Sequence, residues 1–219
     1  MDNLIKICGL STPETLEAAL EAGADMVGFV RFPKSPRHVT LDLGHRLSLQ
    51  AKGRAQRVVL FVDPSDEDIA QAVEAINPDL IQLHGSESPE RVAEIRSMAG
   101  RPVMKAFGIA EKSDLQALTP YAETSEHLLL DAKPPRTAQG LPGGNGVSFD
   151  WKLLNGLDPA LPIMLSGGLN PDNVAEAIRL TKPKAVDVSS GVESSPGLKD
   201  AAKIKAFVQA ARTAFAAQH

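Results

Sequence analysis

Short runs rich in Val, Ile and Leu return eight times along the chain. They lie at Leu4 to Ile7, Asp25 to Val30, Arg57 to Val62, Leu80 to His84, Pro102 to Phe107, His127 to Asp131, Pro162 to Ser166 and Ala185 to Ser189. Such runs are what strands buried on both faces look like. The intervals between them carry amphipathic helical patterns, and strand followed by helix, repeated, predicts a parallel sheet covered by helices. Helix starts are read at Ser11-Thr12-Pro13-Glu14, Pro64-Ser65-Asp66-Glu67 and Asn170-Pro171-Asp172, where a capping side chain meets a helix-compatible Pro or an early acid. Gly23 and Gly100 follow helical runs and suit the left-handed C-terminal cap.

Eight such units predict a closed single-domain α/β fold, the (β/α)8 TIM barrel, spanning residues 1–219 as one domain. A doubly wound open sheet is the alternative. It is disfavoured because the first strand has no glycine fingerprint after it, whereas the last two strands are each followed by glycine. One connection is unusually long, the Pro- and Gly-rich stretch from Lys133 to Ser148, and it is read as an active-site lid.

Composition narrows the function. The chain has 43% hydrophobic and 23% charged residues, as in an ordinary globular protein, and a net charge of -4 with the signs interspersed. No basic stripe exists to neutralise a nucleic-acid backbone, so a small-molecule partner is expected. The longest apolar runs, Val58 to Val62 and His127 to Ala132, are far short of the roughly 18 residues that suggest a membrane span. The N-terminus opens directly into Leu4-Ile5-Lys6-Ile7-Cys8 without a secretory pattern, and the single cysteine cannot form an internal disulfide. A cytoplasmic location is therefore expected.

In a barrel the active site lies at the C-terminal ends of the strands. Strand alternation puts Lys6 and Cys8 on the inner face of the first strand and Ile5 and Ile7 toward the helices. By the same parity Asp131 faces inward with Leu129, and Asp187 faces inward between Ala185 and Ser189. A thiol and two carboxylates then share one pocket. Each residue also has a plainer reading. Cys8 serves equally as a small core hydrophobe, Asp131 as a cap or ion-pair member, and Asp187 as the partner of Lys6 in a buried salt bridge that closes the barrel.

Ser166-Gly167-Gly168 and Ser189-Ser190-Gly191 place glycine and small hydroxyl residues where the seventh and eighth strands end. A phosphate dianion needs several converging backbone N–H donors, and glycine lets the backbone approach. Gln82 and His84 share a face of the fourth strand, where a neutral, hydrogen-bonded histidine is read rather than a metal ligand. His38, His45, His127 and His219 form no ligand spacing with it, so no metal is expected. Arg31, Lys34 and Arg37 make a cationic group after the second strand, of which Arg37 suits a bidentate carboxylate contact.

Taken together, these blocks resemble the phosphoribosylanthranilate isomerases of tryptophan biosynthesis. The resemblance runs through Lys6-Ile7-Cys8-Gly9-Leu10, Gly28-Phe29-Val30, Ser35-Pro36-Arg37, Gln82-Leu83-His84-Gly85 and Leu130-Asp131-Ala132. It continues through Gly143-Gly144-Asn145-Gly146, Phe149-Asp150-Trp151, Leu165-Ser166-Gly167-Gly168-Leu169 and Val186-Asp187-Val188-Ser189-Ser190-Gly191-Val192-Glu193. It covers essentially the whole chain, and the joint order of the blocks is specific where each alone is common.

The resemblance implies an Amadori rearrangement of N-(5-phosphoribosyl)anthranilate to 1-(2-carboxyphenylamino)-1-deoxyribulose 5-phosphate, without cofactor or metal. It implies Asp131 as general acid on the furanose ring oxygen and Cys8 as general base at C2. It further implies Arg37, His84 and Asp187 at the substrate, and the Gly167, Gly168, Ser190 and Gly191 backbones at the phosphate. The chemistry sets two demands: a thiol, with a reference pKa of about 8.5, must be held as thiolate by cations such as Lys6, and a carboxyl that donates must be kept protonated. Two positions depart from the family pattern, Arg31 and Asn145, and both bear on loop contacts. The oligomer is expected to be a monomer or homodimer. The nearest rival is another phosphosugar barrel enzyme, an epimerase or related isomerase using a strand-end lysine such as Lys105. A barrel that binds a phosphorylated ligand without turning it over is the rival from another class.

Overall fold

The computed structural model describes residues 3–133, 148–158 and 160–218. Eight strands pair in parallel in sequence order, and the eighth returns to the first to close the barrel. They are β1 (Leu4–Cys8), β2 (Met26–Val30), β3 (Gln56–Phe61), β4 (Leu80–Leu83), β5 (Val103–Ile109), β6 (His127–Ala132), β7 (Ile163–Leu165) and β8 (Ala185–Val188). Closure runs in register through Leu4 opposite Ala185 and Lys6 opposite Asp187.

Strand parity divides the apolar residues between two cores. Ile5, Ile7, Val27, Phe29 and Val186 point outward into the layer between sheet and helices. Met26, Val58, Met104, Leu129 and Met164 fill the barrel interior below the mouth. The same inward face carries Lys6 and Cys8 on β1, Gln82 on β4, Asp131 on β6 and Asp187 on β8.

The helices are α1 (Pro13–Glu21), α2 (Leu41–Ala51), α3 (Asp66–Ile76), α4 (Pro89–Ala99), α5 (Val174–Thr181) and α6 (Ala201–Ala216). Thr12 caps α1 by accepting from the Thr15 N–H, and Ser65 with Asp68 forms a reciprocal capping box on α3. Caps of this kind stabilise a helix by about 1 kcal/mol each. Gly100 ends α4 in the left-handed conformation. Gly23 is left-handed at a φ of +86°, one residue beyond the right-handed cap at Ala22.

Three expectations change. The Asn170-Pro171-Asp172 start is a lead-in turn, in which Asn170 Oδ1 accepts from the N–H groups of Asp172 and Asn173, and α5 begins only at Val174. Between β5 and β6 the chain makes 3-10 turns at Lys112–Ala117 and Thr119–Tyr121 rather than an α-helix. The buried Leu115 and Leu118 stand three residues apart, which matches three residues per turn, and Pro120 interrupts any longer helix. The short Trp151–Leu154 3-10 turn precedes β7 in the same way.

After β8 comes an element without a sequence expectation. A 3-10 turn at Ser190–Val192 leads into a two-stranded antiparallel ribbon, β9 (Glu193–Ser195) and β10 (Leu198–Lys199). Its turn contains Gly197 at a φ of +85°, where a Cβ would stand 2.7 Å from the Pro36 carbonyl oxygen. The ribbon thus presses on the loop that carries Arg37. The proposed lid is the one sequence feature that falls almost wholly outside the described residues, since 134–147 are not among them. Among the described residues, no helix is long and apolar enough to cross a membrane.

Candidate active site

Cys8 ends β1 facing into the mouth, 4% exposed, in a small apolar cluster with Val30 and Leu60. Its strand neighbour is Gly28, and the absence of a side chain there matters: a Cβ would lie 2.9 Å from the Cys8 Sγ and 3.3 Å from Lys6 Nζ. Sulfur and ammonium thus occupy the space a larger residue would fill. Lys6 is fully buried and donates to Asp187 Oδ1 at 2.7 Å, while Asp187 Oδ2 accepts from Ser166 Oγ at 3.0 Å. Burial opposes the charge on Lys6, but Asp187 and the Cys8 sulfur together outweigh it and hold the lysine above its ordinary pKa. Asp187 thus closes the barrel on Lys6, and the lysine stands beside Cys8.

Asp131 occupies the inner face near the end of β6, 7% exposed. Its Oδ1 accepts from the Ala132 N–H at 2.8 Å, and its Oδ2 lies 3.5 Å from His84 Nε2. On the other side of that ring, Gln82 Nε2 is 3.4 Å from His84 Nδ1. The donor and acceptor roles in this pair follow from the His84 tautomer and the orientation of the Gln82 amide.

The two glycine loops meet. Gly167 and Gly168 have φ values of +82° and +66°, and a Cβ on Gly167 would lie 2.5 Å from the Ala132 nitrogen. A Cβ on Gly191 would collide with the Leu169 carbonyl oxygen, so only glycine lets the loops after β7 and β8 interlock. Between them opens a cleft of about 710 Å³ lined by Gly168, Asn170, Ser190, Gly191 and Lys203.

Arg37 stands apart from the other two cations that follow β2. Arg31 Nη1 turns away to the Val39 carbonyl at 2.7 Å and Lys34 is exposed, but Arg37 is only 6% exposed. Its stem lies over Gly9, next to Cys8, where a Cβ would meet the Arg37 Cδ at 2.6 Å. Glu193 grips the guanidinium in a fork, Nε to Oε1 at 2.7 Å and Nη2 to Oε2 at 2.9 Å, and Lys199 Nζ donates to the same Oε1 at 2.8 Å. Burial opposes ionisation of Glu193, yet Arg37 and Lys199 outweigh it and hold its carboxyl below the usual range. For Lys199 burial wins, and its pKa falls despite Glu193.

Sequence reasoning gave Glu193 no role and passed over Lys199. A buried lysine on a two-residue strand leaves no spacing signature; the signal available was the Pro196-Gly197 turn that begins three residues after Glu193. Lys105, the one lysine that favoured a rival chemistry, lies on the outer face of β5 with Val103. There it pairs with Glu87 at 3.1 Å and donates to the Gly85 carbonyl at 2.8 Å. Among the described residues no three His, Cys, Asp or Glu side chains come together as a metal site. His219 and Asn145 lie outside the described residues.

Fold and site together define a (β/α)8-barrel enzyme with a thiol, a carboxyl and interlocked glycine loops at its mouth. Residues 5–210 match the model of the N-(5'-phosphoribosyl)anthranilate isomerase family. The chain is 59% identical over 213 residues to N-(5'-phosphoribosyl)anthranilate isomerase of Azorhizobium caulinodans, covering 97% of this chain and 93% of that one. It superimposes on phosphoribosyl anthranilate isomerase from Thermotoga maritima with a TM-score of 0.86 at 37% identity, over 96% and 98% of the two chains. A phosphoribosyl anthranilate isomerase in complex with reduced 1-(o-carboxyphenylamino)-1-deoxyribulose 5-phosphate matches with a TM-score of 0.84 at 36% identity, over 96% and 98%. The chain belongs to the N-(5'-phosphoribosyl)anthranilate isomerase family and is an isomerase of tryptophan biosynthesis.

Proposed function

We propose that Asp131 and Cys8 are the acid and base of a cofactor-independent Amadori rearrangement. Asp131 protonates the furanose ring oxygen of N-(5'-phosphoribosyl)anthranilate. The C1–O bond breaks toward that oxygen, and the anilino nitrogen lone pair forms the C1=N bond of an iminium ion. The Cys8 thiolate then takes the C2 proton. The C–H electrons form C1=C2, and the C=N electrons return to nitrogen. The resulting enolamine tautomerises, losing the O2 proton and gaining one at C1, to the ketone. C1 is reduced at the expense of C2, so the electron balance needs no external redox partner.

The observation that carries this reading is the buried ammonium of Lys6 against the Cys8 sulfur, held there by Asp187. The thiolate is the basic form of cysteine, and Lys6 sets a positive charge beside the sulfur that would carry it. His84, facing Asp131 Oδ2, is assigned to hold the acid and meet the substrate. Asp187 keeps acceptor capacity for the anilino N–H while bound to Lys6. Arg37 is assigned to the anthranilate carboxylate. The backbones of Gly167, Gly168, Ser190 and Gly191 are assigned to the phosphate, on the strength of the loop contact between Gly191 and Leu169. Lys105 lies on the outer face of β5 with its ammonium bound to Glu87 and the Gly85 carbonyl, which weighs against lysine-dependent phosphosugar chemistry. The reading takes residues 1–219 as one barrel domain, a small phosphorylated substrate as the partner, and the cytoplasm as the location, consistent with a sole, buried, reduced Cys8.

The test is the loss of anthranilate-type fluorescence when protein is added to freshly generated substrate. Cys8→Ala and Asp131→Asn should each lower kcat by roughly 10²–10⁴-fold while leaving affinity for the reduced product analogue largely intact. Parallel loss of binding and turnover in both variants would assign these residues to structure instead.

A further inference from the structure

We propose that Glu193 and Lys199 are positioning residues that make Arg37 a receptor for the anthranilate carboxylate. The inference rests on the reading of Arg37 given above and extends it to the ribbon after β8.

A guanidinium recognises a carboxylate best when its plane is fixed, because the two N–H···O bonds are parallel and directional. Glu193 fixes that plane through Nε and Nη2. Glu193 is itself held from three further sides: its Oε2 accepts from the Gly197 N–H at 3.2 Å, its Oε1 from Lys199 at 2.8 Å, and its backbone carbonyl from Lys203 Nζ at 2.8 Å. The ribbon turn rests on Pro36, the residue before Arg37.

Charge balance gives Lys199 its part. Arg37 and Glu193 alone would form a neutral buried pair, and a second carboxylate docking there would be an uncompensated buried anion. Lys199 is 6% exposed, and its Nζ donates to the Ser189 carbonyl at 2.8 Å, Ser189 Oγ at 3.2 Å and Glu193 Oε1 at 2.8 Å. Those three bonds use the full donor set of an ammonium group. With Lys199 in the ammonium form that these three contacts call for, and against the burial that lowers its pKa, the trio carries one net positive charge, which a substrate carboxylate neutralises.

The probes are two reduced product analogues, one with the o-carboxylate on the ring and one without, titrated calorimetrically into the full chain. Lys199→Met should weaken the carboxylate analogue roughly tenfold and leave the carboxylate-free analogue nearly unchanged, as for loss of one charge-assisted interaction. The double variant Glu193→Gln/Lys199→Met restores one net positive charge while its amide oxygen keeps one acceptor on the guanidinium, so it should bind the carboxylate analogue more tightly than Lys199→Met alone. A purely structural role for Lys199 would not produce that recovery. If Lys199→Met does not fold, Lys199→Gln, which keeps donors toward Ser189, is read in the same way. Equal weakening of both analogues, no weakening of either, or no recovery in the double variant overturns the proposal. Arg37→Met is run beside them. If it fails to discriminate between the analogues, the assignment of Arg37 itself has failed; if it discriminates and Lys199→Met does not, only the positioning role is lost.

Discussion

Lys6 Nζ and Asp187 Oδ1 lie 2.7 Å apart across the seam where the first strand meets the eighth, 181 residues away in sequence. The pair is buried from both sides, with side chains 0% and 6% exposed. One contact therefore joins barrel closure to the environment of the Cys8 thiol. Removing Lys6 should damage both. Lys6→Met leaves Asp187 buried and unpaired, which should cost about 3–5 kcal/mol in urea unfolding, whereas Lys6→Met/Asp187→Leu should regain most of that stability. Neither variant should turn over substrate at the wild-type rate. A fully active Lys6→Met enzyme would remove the lysine from the account of the thiolate.

Gly28→Ala tests the packing around the sulfur. The added methyl meets Cys8 Sγ at 2.9 Å and Cys8 Cα at 3.1 Å, so the thiol or the strand must shift. We expect a loss of about 1–3 kcal/mol in stability from overpacking. Because the displaced atom is the proposed base, kcat should fall by more than the loss of folded protein explains. Stopped-flow fluorescence on protein shown to be folded at the assay temperature would separate the two, and an unchanged kcat would show that the sulfur position is not critical.

Lys105→Met distinguishes this chemistry from a lysine-based one. The variant deprives the buried Glu87 of its cation, which should cost about 3 kcal/mol or more. Turnover by the folded fraction should stay within about tenfold of wild type, since loss of a true acid or base costs more than that. Complete inactivity in a well-folded variant would bring Lys105 back into the mechanism.

Glu193 makes a pH prediction. Its carboxyl titrates below the ordinary value in the folded protein because Arg37 and Lys199 outweigh the cost of burial. A carboxyl with a depressed folded pKa contributes stability above its unfolded pKa of about 4.3 and loses it as pH falls through the folded value. The Tm advantage of wild type over Glu193→Gln should therefore be constant from pH 7 to about 5 and shrink below about 4.3. A gap that persists undiminished to strongly acidic pH would show that the ionised carboxylate is not what stabilises the ribbon.

How far the sequence led depended on the range of the interaction involved. The eight strands were legible because each is a short continuous apolar run, as a strand covered on both faces must be, and the alternation of side chains along a strand turned Lys6, Cys8, Asp131 and Asp187 inward before any contact was known. Capping at Thr12 and Ser65 was legible for the same reason, being settled within one turn of helix. The 3-10 turns before β6 and β7 were not, because propensity is a weak prior and a segment with few buried apolar positions is shaped by its tertiary surroundings.

By itself, then, the sequence determined the succession of strands and helices and the parity that turns Lys6, Cys8, Asp131 and Asp187 inward, since both follow from local pattern. Only the tertiary structure decided which of those groups touch: that Asp187 holds Lys6, that His84 faces Asp131, and that Arg37 is gripped by Glu193 and Lys199. The Arg37 to Glu193 contact spans 156 residues, and no local pattern encodes a distance across a barrel mouth. Closure of the sheet brings those side chains within bonding reach, and the low dielectric of the buried site then gives each contact its weight.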